Sequence, residues 1–208
     1  MIRRLRLARD DSGFTLVELI VYSILLILVI GIAGGIFINL LRGQQDVLDY
    51  SDANESGQLA FKQLERDLRN AAIVVTDNSG KLLVLDTRVA TSADDDVWVC
   101  VGYFLDTAGE TLRRVASADG SGTTAVALAK SSDAEVETAS ASWTARYEGF
   151  QAVPGQRAFG VTDNKYTYPT IPGIPVALAM DTGNGHEPIE FAKTISLRPQ
   201  DHSNGSCV

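Results

Sequence analysis

The longest apolar stretch of the chain lies close to its amino terminus. It runs from Leu19 to Leu41, LIVYSILLILVIGIAGGIFINLL, and only Ser23 and Asn39 interrupt it. A helix of that length crosses a hydrocarbon core about 30 Å thick. A cleaved secretory signal has a shorter apolar region, of roughly 7–15 residues, followed by a small-residue cleavage site. The pattern therefore predicts a membrane-spanning helix.

After this stretch the apolar positions become periodic. Between Gln44 and Ala72 they recur at steps of three and four residues, which indicates one apolar stripe on a continuing helix. The stripe consists of Tyr50, Ala53, Gly57, Ala60, Phe61, Leu64, Leu68, Ala71 and Ala72. The charged residues are interpreted mainly as a solvated face: Asp46, Asp49, Asp52, Glu55, Glu65, Arg66, Asp67 and Arg69. We expect the stripe to pack on a sheet.

Beyond Ala72 the pattern changes to short runs rich in β-branched and aromatic residues, separated by turn residues. The predicted strands are 81–86, 97–104, 111–115, 123–128, 142–147, 174–180 and 189–197. The predicted turns are 77–80, 107–110, 119–122 and 181–185. The fold class predicted from these patterns is α+β, with one long amino-terminal helix packed on an antiparallel sheet.

Charge is distributed unevenly and sets the expected topology. Four arginines precede the apolar stretch, Arg3, Arg4, Arg6 and Arg9, so the positive-inside rule places the leader in the cytoplasm and the rest outside it. Without residues 1–13 the chain carries 14 Lys+Arg against 24 Asp+Glu, a net charge of −10. Such a surface repels DNA and RNA unless a local basic patch overrides the net charge. No such patch is visible in the sequence, so no nucleic-acid partner is expected.

One short segment does not fit an ordinary membrane anchor. In Ser12-Gly13-Phe14-Thr15-Leu16-Val17-Glu18-Leu19-Ile20, a carboxylate stands where the apolar helix opens, although a charge inside hydrocarbon costs a few kcal/mol or more. A basic leader ending in Gly13, followed by Phe14-Thr15-Leu16-Val17-Glu18, resembles the signature of type IV prepilins and pseudopilins. The match covers the order of the motif residues, their spacing and the position of the one charged residue.

The resemblance implies a sequence of processing and assembly. Prepilin peptidase would cleave after Gly13 and N-methylate Phe14, and Glu18 would face the α-amine of a neighbouring subunit. An amine and a carboxylate attract strongly in a low-dielectric bundle, whereas either one alone there is costly. Because Glu18 lies four residues after Phe14, contact with its own amine competes. A Glu18 that rests at headgroup level without a role is the less favoured alternative.

The resemblance also divides the chain. It implies a leader over 1–13, a transmembrane and assembly helix over 14–42, an amphipathic half of that helix over 43–72, and an extracytoplasmic β-rich domain over 73–208. This pilin-like α+β arrangement would start as a single-pass protein of the cytoplasmic (inner) membrane. Afterwards it would enter a pilus or pseudopilus. Its implied partners are the membrane, prepilin peptidase, other pilin subunits and the inner-membrane assembly platform.

Two looser motifs refine the family. The segments GQLAFKQLERDLRNA and VGYFLDTAGETLRRV are similar to the J-type pseudopilins of type II secretion and to PilW-like minor pilins, which implies a minor subunit that tips or initiates a filament. In such a complex, the part of the helix that carries Glu65, Arg66, Asp67 and Arg69 would form a partner surface. A merely solvated helix face is the favoured interpretation. A major subunit, an adhesive or DNA-uptake pilin, and a membrane-anchored extracytoplasmic enzyme are the alternatives.

The remaining chemistry-bearing residues form no recognisable catalytic pattern. The two histidines, His186 and His202, lie in Gly-, Asn- and Ser-rich sequence without metal or nucleophile spacing. Asp94-Asp95-Asp96 and the loop from Asp181 to Glu187 carry oxygen ligands suited to calcium, and some pseudopilins bind it. Neither follows the spacing of a defined calcium loop, so solvated turns are favoured. We expect no metal, no cofactor and no enzyme activity.

The chain has two cysteines, Cys100 and Cys207. Outside the cytoplasm a disulfide between them is permitted. The alternative is one buried thiol in a strand and one loose thiol near the carboxyl end. The sequence alone leaves both interpretations open.

Overall fold

The computed structural model describes residues 15–77, 79–90, 96–117, 133–143, 145–160, 165–167, 173–183 and 185–198. Its longest element is helix α1, Leu16–Arg69. The other elements are β1 Ala71–Thr76, β2 Leu82–Ala90, β3 Asp96–Asp106, β4 Thr111–Ser117, α2 Asp133–Ser140, β5 Ala145–Glu148, β6 Phe150–Ala152, β7 Lys165–Thr167, β8 Gly173–Met180 and β9 Ile189–Ser196. The predicted order of one long helix followed by strands is confirmed.

Tertiary contacts divide the chain into two units, residues 1–47 and residues 48–208. In the first unit the described residues are the amino-terminal part of α1, whose large apolar side chains from Leu16 to Leu41 are all exposed. This part of the helix is long and apolar enough to cross a membrane. Exposed apolar surface on that scale is unstable in water, which agrees with the predicted span.

The second unit contains two antiparallel sheets. The larger sheet has the strand order β5-β4-β3-β2-β1-β7, and the smaller has the order β6-β8-β9. The predicted antiparallel arrangement is confirmed, because every strand pair named here runs antiparallel. Strand β3 pairs with β2 along nine residues, from Leu82 opposite Phe104 to Ala90 opposite Asp96.

Both faces of the larger sheet are covered. Along β2, Leu83 and Leu85 face the main core together with Leu64 and Leu68 of α1. Leu82 and Val84 point to the other face, where they pack with Val136 of α2 and with Trp143. Since successive side chains of a strand alternate between faces, two buried faces require a nearly continuous apolar strand. This explains the sequence KLLVLD at this position.

Several element boundaries differ from the sequence prediction. Helix α1 ends at Arg69 rather than Ala72, and Ala71–Thr76 forms strand β1. The β-branched run Ile73-Val74-Val75-Thr76 favours a strand, which ends the helix early. The short elements α2, β6 and β7 were not predicted. The predicted strand at 123–128 and the predicted turn at 119–122 lie outside the described residues.

The stripe on α1 also differs from the prediction at two residues. Ala53, Gly57, Ala60, Leu64 and Leu68 are buried as expected. Tyr50, however, is 51% exposed, and Asp67, assigned to the solvated face, is only 5% exposed. Asp67 lies three residues after Leu64 and therefore falls on the stripe itself. Its burial is explained by the side chains that surround it, described below.

Gly57 allows the close approach of β9 to α1. A Cβ atom at Gly57 would lie 2.6 Å from the Cε2 and Cζ atoms of Phe191. Phe191 in turn stacks on Phe61, with ring centroids 5.8 Å apart. The ring thus occupies the volume that any side chain at position 57 would need.

Replacing Gly57 with alanine tests this packing. We expect Gly57→Ala to lower the free energy of unfolding of the β-rich unit by about 1–3 kcal/mol, because overpacking displaces Phe191. Gly43→Ala is the matched control on the same helix, since no atom lies within 4 Å of a Cβ there. It should leave stability unchanged or raise it slightly. Urea unfolding in detergent, followed by tryptophan fluorescence, measures both; equal midpoints would contradict the prediction.

Candidate functional site

The first turn of α1 contains Glu18, for which the sequence motif predicts a role in subunit assembly. Thr15 precedes the helix, and its Oγ1 accepts a hydrogen bond from the backbone N–H of Glu18 at 3.3 Å. Thr15 is therefore the N-cap, and Glu18 occupies the third helical position. A carboxylate in the first turn also interacts favourably with the helix dipole.

Glu18 has a second partner one turn further along the helix. The Tyr22 hydroxyl donates a hydrogen bond to Glu18 Oε1 at 3.2 Å. Both side chains are exposed, and Leu16, Val17, Leu19 and Ile20 around them are exposed and apolar. The sequence reasoning missed Tyr22, although its i, i+4 spacing from Glu18 was a signal for the contact.

The other residues of the processing motif cannot be placed in this geometry. Gly13 and Phe14 lie outside the described residues. Cleavage after Gly13 and methylation of Phe14 therefore stay predictions.

A second polar cluster lies in the β-rich unit, at the last turn of α1. The carboxylate of Asp67 accepts a hydrogen bond from the Tyr103 hydroxyl at 2.6 Å and forms an ion pair with Arg114 at 2.9 Å. Gln63 donates to its other oxygen at 3.0 Å, and the Thr87 hydroxyl donates to the Asp67 backbone carbonyl at 2.9 Å. Every partner except Gln63 comes from the larger sheet, so the cluster joins the helix end to β2, β3 and β4.

Burial and charge together perturb Tyr103 strongly. Burial raises the pKa of the Tyr103 hydroxyl well above its ordinary value, and the negative charge of Asp67 raises it further. Arg114 lies over the Tyr103 ring, 5.7 Å from its centroid. Burial alone lowers the pKa of Arg114, but its interactions with Tyr103 and Asp67 leave it raised. Asp67 is thus a buried carboxylate whose two oxygens both accept hydrogen bonds, and its ion-pair partner Arg114 is partly buried.

The paired arginines of the motif VGYFLDTAGETLRRV serve opposite faces of the sheet. Arg114 pairs with Asp67 on the face toward α1, whereas Arg113 pairs with Asp106 and donates a hydrogen bond to the Ser140 hydroxyl at 3.0 Å. Asp106 Oδ1 also accepts the backbone N–H groups of Ala108 and Gly109, at 3.0 Å each. These contacts stabilise the predicted turn at 107–110 and hold α2 against β4.

The cysteines and the acidic loops are only partly described. Cys100 is buried in β3 and is disulfide-bonded. Because Cys207 lies outside the described residues, the pairing of Cys100 with Cys207 stays a prediction. In the loop 181–187, Asp181 Oδ1 accepts the N–H of Gly183 at 3.2 Å, and His186 is exposed. Asp94 and Asp95, like His202, lie outside the described residues.

No group of three or more His, Cys, Asp or Glu side chains in the described ranges is arranged to hold a metal ion. The absence of a cofactor and of enzyme activity remains an expectation. Comparison with models of protein families, with curated proteins and with solved structures found no match to this chain.

The pH dependence of stability tests the Tyr103 contact. A raised pKa in the folded state means that the contribution of Tyr103 is complete below about pH 10, the ordinary value for tyrosine, and is lost as the pH rises above it. Wild type should therefore lose up to about 1.4 kcal/mol of unfolding free energy per pH unit above pH 10 from this group. Tyr103→Phe should lack that part of the slope.

At pH 7, Tyr103→Phe should lower the free energy of unfolding by about 1–3 kcal/mol, because the charged carboxylate of Asp67 loses a hydrogen-bond donor. Urea unfolding between pH 7 and pH 11.5 measures both effects. Parallel pH curves for the two proteins would show that Tyr103 ionises as readily in the folded chain as in the unfolded one.

Proposed function

We propose that this chain is a minor pilin or pseudopilin, a structural subunit that prepilin peptidase processes after Gly13 and that helps to initiate or tip a type IV pilus or a type II secretion pseudopilus. The observation that carries the proposal is the first turn of α1. There Glu18 is exposed on an apolar helix and is the last residue of the motif Gly13-Phe14-Thr15-Leu16-Val17-Glu18.

The geometry around Glu18 supports an intermolecular role. Tyr22 donates to Oε1, and no described residue donates to Oε2, so the carboxylate has capacity for a further donor. Transfer of this turn into a bilayer or a helix bundle removes its water, and one tyrosine hydroxyl does not neutralise a full negative charge. A cationic amine on a neighbouring chain would do so.

The division of α1 supports the same proposal. A subunit that moves from a membrane into a filament core needs a helix that is apolar on every face at its amino-terminal end. It also needs a folded domain that remains in water. The exposed apolar residues 16–41 and the buried stripe from Ala53 to Leu68 meet these two requirements in one helix.

The location and the partners follow from the proposal. The precursor is a single-pass protein of the inner membrane whose β-rich domain lies outside the cytoplasm. Its partners are prepilin peptidase, the inner-membrane assembly platform and other pilin subunits. The disulfide at Cys100 is compatible with an extracytoplasmic domain.

Processing is tested at the amino terminus. In cells with an active prepilin peptidase, we expect N-methyl-Phe14 as the first residue, because Gly13-Phe14 is the predicted cleavage junction. Intact-mass analysis of the membrane-extracted protein measures this. A chain that retains Met1 would refute the family assignment, and Gly13→Leu, which should block cleavage, is the control.

The role of Glu18 is tested by comparing two variants. Glu18→Gln should leave membrane insertion and cleavage intact but weaken incorporation into filaments, because a neighbour's amine would lose a buried partner at a cost of about 3–5 kcal/mol. Tyr22→Phe is the matched control: it removes the intrahelical donor and keeps the charge. It should enter filaments nearly as well as wild type. The measurement is the amount of protein in sheared filaments at equal membrane level.

Two other results would count against this role. If Glu18→Gln assembled normally, the carboxylate would act only within its own helix. If Tyr22→Phe failed as severely as Glu18→Gln, the intrahelical contact would be the important one.

A further inference from the structure

A basic recess lies at the carboxyl-terminal end of α1, within the β-rich unit. It has a volume of about 250 Å³ and is lined by Lys62, Glu65, Arg66, Arg69, Asn70 and Arg198. Lys62, Arg66 and Arg69 are spaced i, i+4 and i+7 on the helix and are all exposed. Arg198 lies in the segment after β9. Its backbone N–H donates a hydrogen bond to the carbonyl of Arg69 at 3.2 Å.

The helix dipole explains only part of this cluster. Cations in the last turn are stabilised by the carboxyl-terminal end of a helix, which accounts for Arg66 and Arg69. It does not account for Lys62, almost two turns before the end, or for Arg198, which belongs to another segment. Four cations therefore converge on one recess even though their mutual repulsion opposes it.

The carboxylate in the recess is already engaged. Glu65 forms ion pairs with Arg69 and with Lys193, the latter at 2.8 Å. The hydrogen bond from Lys193 holds the pKa of Glu65 below its ordinary value. Arg66 donates to the neutral amide oxygen of Gln63 at 2.8 Å. Asp67, the next acid along the helix, is buried and paired with Arg114. The six lining residues thus carry four positive charges against one negative charge.

The rest of the chain has the opposite charge. The whole chain has a net charge of −8, so without the +3 of the recess the remainder carries −11. Acidic side chains also occur in a regular series on α1, where Asp49, Asp52 and Glu55 are exposed at three-residue spacing. A helix of this kind presents several carboxylates to a neighbouring surface, and the recess is large enough for such carboxylate groups but not for a helix.

We propose that the recess formed by Lys62, Arg66, Arg69 and Arg198 binds the carboxylates of an acidic helical segment on a neighbouring filament subunit. The contact between subunits rests on the proposed function, whereas the charge preference of the recess does not. The interaction is electrostatic and exposed, so it contributes orientation and specificity more than affinity.

The experiment uses the full-length protein in detergent micelles and a labelled, end-blocked peptide with the sequence of residues 45–56, QDVLDYSDANES. We expect binding, measured by fluorescence anisotropy, that weakens as salt screens the charges. A peptide with Asn and Gln in place of its Asp and Glu residues should not bind. Equal binding of the neutral peptide would overturn the proposal.

Substitutions locate the binding. Arg66→Gln and Arg198→Gln should each weaken it about two- to fivefold, the range for exposed ion pairs. Arg42→Gln, which makes the same change on an exposed position of α1 outside the recess, should leave it unchanged. Equal effects of Arg66→Gln and Arg42→Gln would refute the site. So would displacement of the peptide by 1 mM inorganic phosphate, which would identify a phosphate site.

The assay does not require a filament. Its failure would therefore leave the Glu18 result intact, and a chain that failed to assemble through Glu18 could still bind the peptide. The two proposals fail separately.

Discussion

The buried carboxylate of Asp67 is the interaction on which the β-rich unit depends. An ionised group inside a core destabilises the fold unless it is paired and hydrogen-bonded. Asp67 meets this requirement through Tyr103 and Arg114 of the sheet and Gln63 of its own helix. Because these partners come from different elements, the charge is satisfied only when the end of α1 and strands β3 and β4 take one arrangement. If the stripe on α1 were purely apolar, the helix could shift along the sheet without leaving a charge unpaired.

The sequence predicted the elements whose pattern is long and regular. The apolar run from Leu19 to Leu41 and the periodic segment that follows identified α1, and KLLVLD and VWVCVGYF identified the two central strands. Element ends were less accurate, because Ala71 and Ala72 favour a helix while the β-branched residues after them favour a strand. The local preferences of these residues do not decide where the helix ends, whereas the pairing of β1 with β2 does. The strands β6 and β7, of three residues each, are too short for a periodic signal.

The candidate sites also differ in how far the local sequence predicts them. Glu18 was recognisable because the motif around it is specific, and its contact with Tyr22 follows from helical spacing alone. Asp67 was placed on the solvated face because its charge was given more weight than its position three residues after Leu64. Its partners, Tyr103 and Arg114, are 36 and 47 residues away, and no local pattern identifies them. The recess at Arg66 depends likewise on Arg198, which only the folded chain brings to the helix.

The packing of Phe191 against Gly57 restricts the number of helix residues between Gly57 and Asp67. Gly57 and Asp67 are both fixed by contacts with sheets, and they lie ten positions apart on the helix. Each inserted or deleted residue would rotate one end by about 100° relative to the other. A single-residue change in length there would turn either the glycine away from the ring or the carboxylate away from its arginine. The helix between these two points therefore has a fixed rotational phase, which also fixes the direction in which Lys62 and Arg66 project.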